Sequence, residues 1–421
     1  MRSSIVSRLR KILLPPESRQ ELFLRTLYHR INATPFFINR QIRKATASYS
    51  LWREQQNRTK VEVVANIDTL PVTTFLMQVE PGDEEAALKT IHSLQLQVLS
   101  KWKLVLVLKG GTQRFEVPDQ LKQQDQISSA IQVEKVTTTW LSGLETDFLV
   151  FCNAGDIFSQ SISGEFYTAI IAFPNADVIY SDSEYFQDGS TDPTPFFKPA
   201  VVSPELVVST NYLSRSFIRQ SALADLPIMR NPTSDLMILE YELLLRLANK
   251  RVVHYHIPRV LVTLLHYEGN VKDTLTAHFE GQGMENVVVE CCGSPTRVNW
   301  DFGNPSVSLI ILTHNHGDWL RSLVDSIFKR TDYENFTITI VDNLSSEPNV
   351  LAYYNDLAGD ARVRVVHYDQ PFNYSEAINI GVAGSSGDVV VLLNNDMQVT
   401  DPGWLRELVQ WAVYPGVGVV G

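Results

Sequence analysis

The chain reads as an α/β protein built on mostly parallel sheets, with one strand–helix layout laid down twice. Three observations predict this. The run Val389–Met397 places five apolar residues in a row before Asn394, Asn395 and Asp396. A continuous apolar run of that kind reads as a strand buried on both faces, as in a parallel sheet. Strand-like and helix-like segments alternate along most of the chain, which implies parallel pairing through right-handed crossovers. Finally, an Asn- and Asp-bearing turn ends a strand at Asn153–Asp156 and again at Asn394–Asp396, a spacing far too long for a solenoid repeat.

The elements follow in order. Residues 1–68 form a basic helical extension. Ile5, Leu9, Ile12 and Leu13 recur at helical spacing among Arg8, Arg10 and Lys11, and Pro15-Pro16 ends that helix. The first α/β domain spans 69–275. Its strands are Phe75–Val79, Leu104–Leu108, Phe148–Cys152 and Asp177–Tyr180, and a helix over Glu84–Leu99 carries Ala87, Ile91, Leu94 and Val98 on one face. His254 and His256 flank a further strand. Residues 276–304 read as a linker, with little pattern from Gly281 to Asn304. The second domain, 305–421, repeats the layout with strands Val307–Thr313, Thr337–Val341, Val363–His367 and Val389–Leu393. Leu320, Leu323, Val324, Ile327 and Phe328 stripe its first helix. A helix over Trp404–Val413 follows, and Val417–Val420 reads as the start of a strand cut at Gly421, so only the N-terminal part of this domain is expected.

Composition narrows the function. Net charge is −11 over 421 residues, which argues against a nucleic-acid binder. The charge is uneven: residues 1–60 hold thirteen Lys and Arg against three acids, a local +10 that leaves −21 on the remainder. A basic arm on an acidic body suits an anionic surface. Two readings stand for it, an amphipathic anchor on anionic lipid or a helical extension packed on the next domain. Cys152, Cys291 and Cys292 show no metal-ligand spacing, and an odd count fits a reducing cytoplasm. No apolar run reaches the ~20 residues of a membrane span. The expected location is cytoplasmic, peripheral on the inner face of the membrane.

The chemistry gathers at strand ends, where open α/β sheets bind ligands. In the second domain the first strand ends at Thr313-His314-Asn315-His316 and the second at Asp342-Asn343. Asn373 precedes a helix, and Asn394-Asn395-Asp396 closes the set. A carboxylate fixed there can hold a divalent metal against a diphosphate. Asp342 can accept hydrogen bonds from a nucleobase or ribose. His314 and His316 read as polar edge residues, and Cys152 as a small buried hydrophobe.

The segments VSLIILTHNH, TITIVDNLSS, FNYSEAINIGVAGSSGDVVVLLNNDM and PGWLRELV, falling in that order, resemble the family 2 glycosyltransferases of the GT-A fold. The likeness is to the bacterial rhamnosyltransferase-like, O-antigen or surface-polysaccharide type. The resemblance implies two tandem GT-A-like, Rossmann-like domains and an inverting, metal-dependent transfer from a nucleotide sugar (UDP-, dTDP- or GDP-linked). The acceptor would be a lipid-linked or glycan chain. It implies Asp342 as nucleoside contact, with Thr313, Asn315, Asn343, Asn373 and Asn394 around the donor, and Asp396 as ligand of Mg²⁺ or Mn²⁺. Asn394 stands where the family's first metal-motif Asp would be. The family's general base lies past the point where this chain ends.

The first domain resembles the family from Thr73 to Asn270. Glu240 falls in the base motif and is the candidate base. Asn211-Tyr212 and Asp182 match acceptor-side positions. Its donor side departs: Lys109-Gly110-Gly111 replaces the nucleoside Asp, Gln78-Val79-Glu80 replaces the polar strand end, and Asp156 alone keeps a metal-type carboxylate. The alternative function is a non-catalytic scaffold, or a pseudo-enzyme that binds glycan or nucleotide. A Rossmann reductase is set aside because no Gly-x-Gly-x-x-Gly follows a first strand.

Overall fold

The computed structural model describes residues 49–56, 70–98, 101–109, 127–132, 138–187, 190, 192–224, 226, 235–250, 252–264, 271–290 and 296–421. The extension before residue 49, Gly110-Gly111 and Cys291-Cys292 lie outside them, together with the readings that rest on them. The chain divides into two compact units, Met1–Val207 with Asn211–Val271, and Val208–Thr210 with Lys272–Gly421.

The first unit runs β1 (Thr73–Val79), α1 (Glu84–Gln95), β2 (Trp102–Leu108), β3 (Ile127–Gln132), α2 (Thr138–Ser142), β4 (Phe148–Asn153), β5 (Ile157–Phe158), α3 (Ile162–Ala172), β6 (Val178–Phe186), β7 (Pro193–Phe196), α4 (Pro204–Thr210), β8 (Phe217–Arg219), α5 (Gln220–Leu223), α6 (Leu236–Ala248) and β9 (His254–Leu264). The strands form one sheet in the order β3-β2-β1-β4-β8-β6-β9-β5, with β7 on β6. β1 to β4 pair in parallel. β8 is antiparallel to β4 and β6. Every residue of β1 is buried, as a central strand requires. Ala87, Ile91 and Leu94 of α1 join Phe75, Phe158 and Phe166 in the core. The helix stops short of its predicted end. Leu96 caps it onto the His92 carbonyl, and Val98 then donates to the Gln160 carbonyl at 3.2 Å, so the Val98 side chain is exposed and not on the packed face. A helical segment over residues 49–56 packs on this unit: Tyr49 and Arg53 both donate to Glu184, and Trp52 meets Phe197 edge-on. For that segment the packing alternative is the observed one.

The second unit runs α7 (Lys272–Gly281), β10 (Glu285–Glu290), β11 (Arg297–Asp301), β12 (Val307–Thr313), α8 (Gly317–Arg330), β13 (Phe336–Asp342), α9 (Pro348–Leu357), β14 (Val363–His367), α10 (Tyr374–Ala383), β15 (Val389–Asn394) and α11 (Trp404–Ala412). The main sheet is parallel in the order β14-β13-β12-β15. The α8 stripe packs with Leu309, Ile311 and Ile338 on one face. Ala377 and Ile378 of α10 meet Ile310 and Val341 on the other. The α10 backbone lies so near the sheet that a Cβ on Gly381 would stand 2.7 Å from Ile310 and Val341 methyls.

Three expectations change here. The stretch read as a patternless linker holds the end of α7 and an antiparallel β10–β11 ladder. Its Trp300 stacks on Phe279 and meets Trp411 edge-on, so scattered aromatics rather than periodicity order it. β15 is not buried on both faces. It is an outer strand, and Val390 and Leu392 on its α10-side face are exposed. Residues 417–421 form no strand.

Candidate functional site

Parallel pairing brings the predicted polar ends of the second unit to one edge. Thr313 is opposite Asp342, and Leu312 opposite Asn394. Asp342 is only 3% exposed. Its carboxylate accepts from the Tyr354 hydroxyl at 2.7 Å and the Ser345 N–H at 3.4 Å, and lies 3.3 Å from His367 Nδ1. Burial first, then that hydrogen bond, push the Tyr354 phenol above its ordinary range, so Tyr354 is a donor at any working pH. Asn343, also buried, donates to the carbonyls of Tyr368 and Gln370 at 2.9 Å each. That holds the chain leading to Asn373, which caps α10 by accepting from Glu376 N–H. Asn343 and Asn373 are thus committed to shaping the rim.

Asn315 and His316 both take left-handed backbone, at φ 55° and 54°, uncommon away from glycine. Asn315 offsets that cost with its side chain, whose oxygen accepts from Ser346 and Glu347 N–H, and its own N–H donates to Ser345. His314 Nδ1 lies 2.5 Å from the Asn343 carbonyl, which fits the edge role predicted for it. On the other flank Asn395 donates to Thr313 Oγ1 at 3.0 Å, tying the β15 turn to the end of β12. Asn394 and Asp396 are exposed on that turn. Sequence pattern does not single out Tyr354 or Ser345, and it names Asn395 without its tie to Thr313. The Asn395–Thr313 and Ser345–Asn315 bonds join segments distant in sequence, so only the pairing of the strands reveals them.

Among the described residues no group of three or more His, Cys, Asp or Glu is placed to hold a metal. One exposed carboxylate is a fitting donor for a hard cation that draws its other ligands from diphosphate and water, as Mg²⁺ commonly does. Asp396 and the Asn394 carbonyl oxygen suit that chemistry.

The same edge in the first unit is closed by its own side chains. Lys109 Nζ bridges Glu80 and Asp235, each at 3.0 Å. Asp235 caps α6, and Leu236 N–H donates to Gln78 Oε1 at 2.7 Å. The start of α6 thus sits on the ends of β1 and β2. Asp156, predicted as a weak metal ligand, is fully buried and binds Arg215 Nε at 2.6 Å. A guanidinium already holds that carboxylate, which corrects the metal reading. Glu240, the candidate base, is also fully buried and accepts from the Arg215 N–H at 2.6 Å and Nη1 at 3.4 Å. Placed so, it is an internal counter-ion beyond reach of an acceptor hydroxyl. Burial pushes its carboxyl up to about 7 against the pull of Arg215, and burial lowers Lys198 to about 8. Burial opposes the charge on Arg215, but Asp156 and Glu240 outweigh it and raise its pKa. Asn211 is buried, with its side-chain amide unpartnered among the described residues. Tyr212 stacks on Phe196. Asp182 accepts from Lys198 N–H and pairs with His256 at 2.9 Å.

Comparison with known proteins bears on residues 308–421, which match the family model described as Glycosyl transferase family 2. Across most of its length the chain is 28% identical over 406 residues to the O-antigen biosynthesis protein RfbC of Myxococcus xanthus, covering 89% of this chain and 31% of that protein. It is 28% identical over 391 residues to the uncharacterized protein y4gI of Sinorhizobium fredii, covering 86% and 42%. The chain therefore spans about a third to two fifths of the length of these relatives. Among solved structures it is similar to the mannosyltransferase PcManGT from Pyrobaculum calidifontis in complex with GDP-Man and Mn²⁺ (22% identity, TM-score 0.26, 28% of this chain and 35% of that one). It is also similar to S. aureus TarS 1-349 in complex with UDP-GlcNAc (14%, 0.35, 47% and 60%). The match to the model of Glycosyl transferase family 2 thus falls on the segment, 308–421, that carries the parallel sheet and its polar rim.

Proposed function

We propose that the chain serves transfer of a sugar from a nucleotide-sugar donor to a growing cell-surface polysaccharide, with inversion and with help from Mg²⁺ or Mn²⁺, and that the second unit holds the donor. The carrying observation is the meeting of Thr313, Asp342 and the Asn394–Asp396 turn at one sheet edge. Asp342, oriented by Tyr354, accepts from the nucleoside. Thr313, Asn315, Asn343 and Asn373 shape the pocket rim, and Asn394 reaches a sugar hydroxyl or the metal. Asp396 holds the cation on the diphosphate. When bound, that cation stabilises charge gathering on the leaving diphosphate. In the transfer itself an acceptor oxygen bonds the anomeric carbon as the carbon–diphosphate bond breaks, and the acceptor proton goes to a base. Glu240 as placed does not supply that base.

The closed edge around Lys109 and the Asp156–Arg215–Glu240 chain favour a second reading for the first unit alone, a copy of the same α/β layout that scaffolds and does not bind donor. In this reading the two units are tandem copies sharing the orders β3-β2-β1-β4 and β14-β13-β12-β15. The acceptor is a lipid-linked or glycan chain, and the basic segment before residue 60 draws the chain to the anionic inner face of a membrane. No described helix is long and apolar enough to cross one.

Calorimetry with UDP, dTDP and GDP, each with and without Mn²⁺, tests the reading. Metal-dependent binding of one of them that Asp396→Ala abolishes supports it. Binding of none, or binding indifferent to Asp396, overturns it in favour of the scaffold.

A further inference from the structure

We propose that a cleft beside α1 in the first unit binds an anionic amphiphile, a phosphate monoester carried on an aliphatic chain. The site goes beyond the donor reading. It is built by the C-terminal half of α1, β5, the start of α3, β9 and the 49–56 helix, and shares no residue with the strand ends described above. Its volume is about 860 Å³, within the usual range for small-molecule sites.

The lining divides by chemistry. Lys89 and His92 stand three apart on α1, hence on one face of the helix, and Arg53 lines the cleft too, while among the described residues no carboxylate does. Arg53 is tied to the buried Glu184 at 3.1 Å, so it sets the local field and Lys89 and His92 meet the headgroup. The partner of Lys89 is Glu85, an exposed i,i+4 acid at 2.9 Å. A surface pair of that kind contributes little, and a dianionic phosphate displaces it. The same lining carries an aliphatic patch. Leu96 and Val98 are 45% and 61% exposed, two large apolar side chains facing a concavity, which marks an interaction surface. They are exposed because α1 ends at Gln95 and Gln97 turns to bind the Ser159 carbonyl at 2.9 Å. Phe158 in the lining is buried in the core, and among the described residues only the small His92 imidazole is an exposed ring there. Exposed cations beside bare aliphatics in one cleft fit a charged head with a hydrocarbon tail.

The full chain is titrated calorimetrically with dodecyl phosphate below its micelle-forming concentration, beside dodecyl maltoside and inorganic phosphate. The expected result is saturable one-to-one binding of dodecyl phosphate, with at least tenfold weaker binding of the other two probes. The double variant Lys89→Glu/His92→Glu and the separate variant Leu96→Asp each lose at least tenfold. All three side chains are exposed, so far-UV circular dichroism and Tm should match the parent. Equal binding by parent and both variants overturns the proposal, since the basic N-terminal segment then accounts for the affinity. Equal binding of the maltoside, or no saturable binding, overturns it as well. Nucleotide binding is read separately and is expected to be unchanged in these variants.

Discussion

Asn395 reaches across to Thr313, its amide 3.0 Å from the threonine hydroxyl, and so fixes the turn of an outer strand to the end of a central one. The turn carries Asp396 one residue further on. Tied to β12, the carboxylate is held at the same sheet edge as Asp342.

Asp396→Ala removes an exposed carboxylate for which no hydrogen bond or ion pair is found among the described residues. The expected outcome is a loss of at least tenfold in Mn²⁺-dependent nucleotide affinity, with Tm unchanged. Calorimetry and thermal unfolding on the same sample check both halves.

Tyr354→Phe deletes a hydrogen bond to a carboxylate that is almost wholly buried. Hydrogen bonds to charged groups contribute roughly 1.5–3 kcal/mol. The second unit should lose about that much in urea unfolding, and nucleotide affinity should fall because Asp342 is no longer oriented. Unchanged stability would show that solvent replaces the phenol without cost.

Glu240 predicts a pH dependence of the first unit. Its folded pKa, about 7, lies above the ordinary 4.5, so the folded state holds the proton more tightly than the unfolded chain. The resulting stability is complete below about 4.5 and is lost as pH rises through 7. Lys198, lowered from 10.5 to about 8, acts oppositely, and its contribution is lost as pH falls through 8. The two windows do not overlap, and between pH 7 and 8 both losses are complete. In Glu240→Gln the decline between pH 4.5 and 7 should disappear, a difference on the order of 3 kcal/mol at most across the window. Parallel pH profiles of parent and variant would refute it.

Gly381→Ala forces a methyl against Ile310 and Val341. Overpacking of this kind costs about 1–3 kcal/mol. The second unit should unfold at lower urea, while Gly359→Ala, which meets open space, should not. Because α10 also carries the rim at Asn373, nucleotide affinity is expected to weaken with it.

Much of the second unit was legible from local pattern. The α8 stripe, the four strands and their polar ends follow from period and punctuation, because parallel strands buried on at least one face must be apolar and must end where ligand-facing polar groups begin. The β10–β11 hairpin was not legible. Its order comes from Trp300 stacking on Phe279 and from Gln410, which donates to the Val298 carbonyl at 2.8 Å, contacts made across more than a hundred residues in the latter case. In the first unit four strands were missed: β5, β7 and β8 are short and antiparallel, and β3, parallel to β2, holds Ser128-Ser129 and no apolar run that marks it.

The sequence by itself determined the strand–helix alternation, the polar residues at strand ends and the uneven charge, since these depend on neighbours a few positions apart. Only the tertiary structure decided which carboxylates are available. Asp156 and Asp396 each follow the strand paired in parallel with their unit's β1 or β12, yet Asp396 stands in the open and Asp156 is held by Arg215, from fifty-nine residues away. Whether an acid meets solvent or a guanidinium is settled by which distant segment folds over it, and no local pattern encodes that.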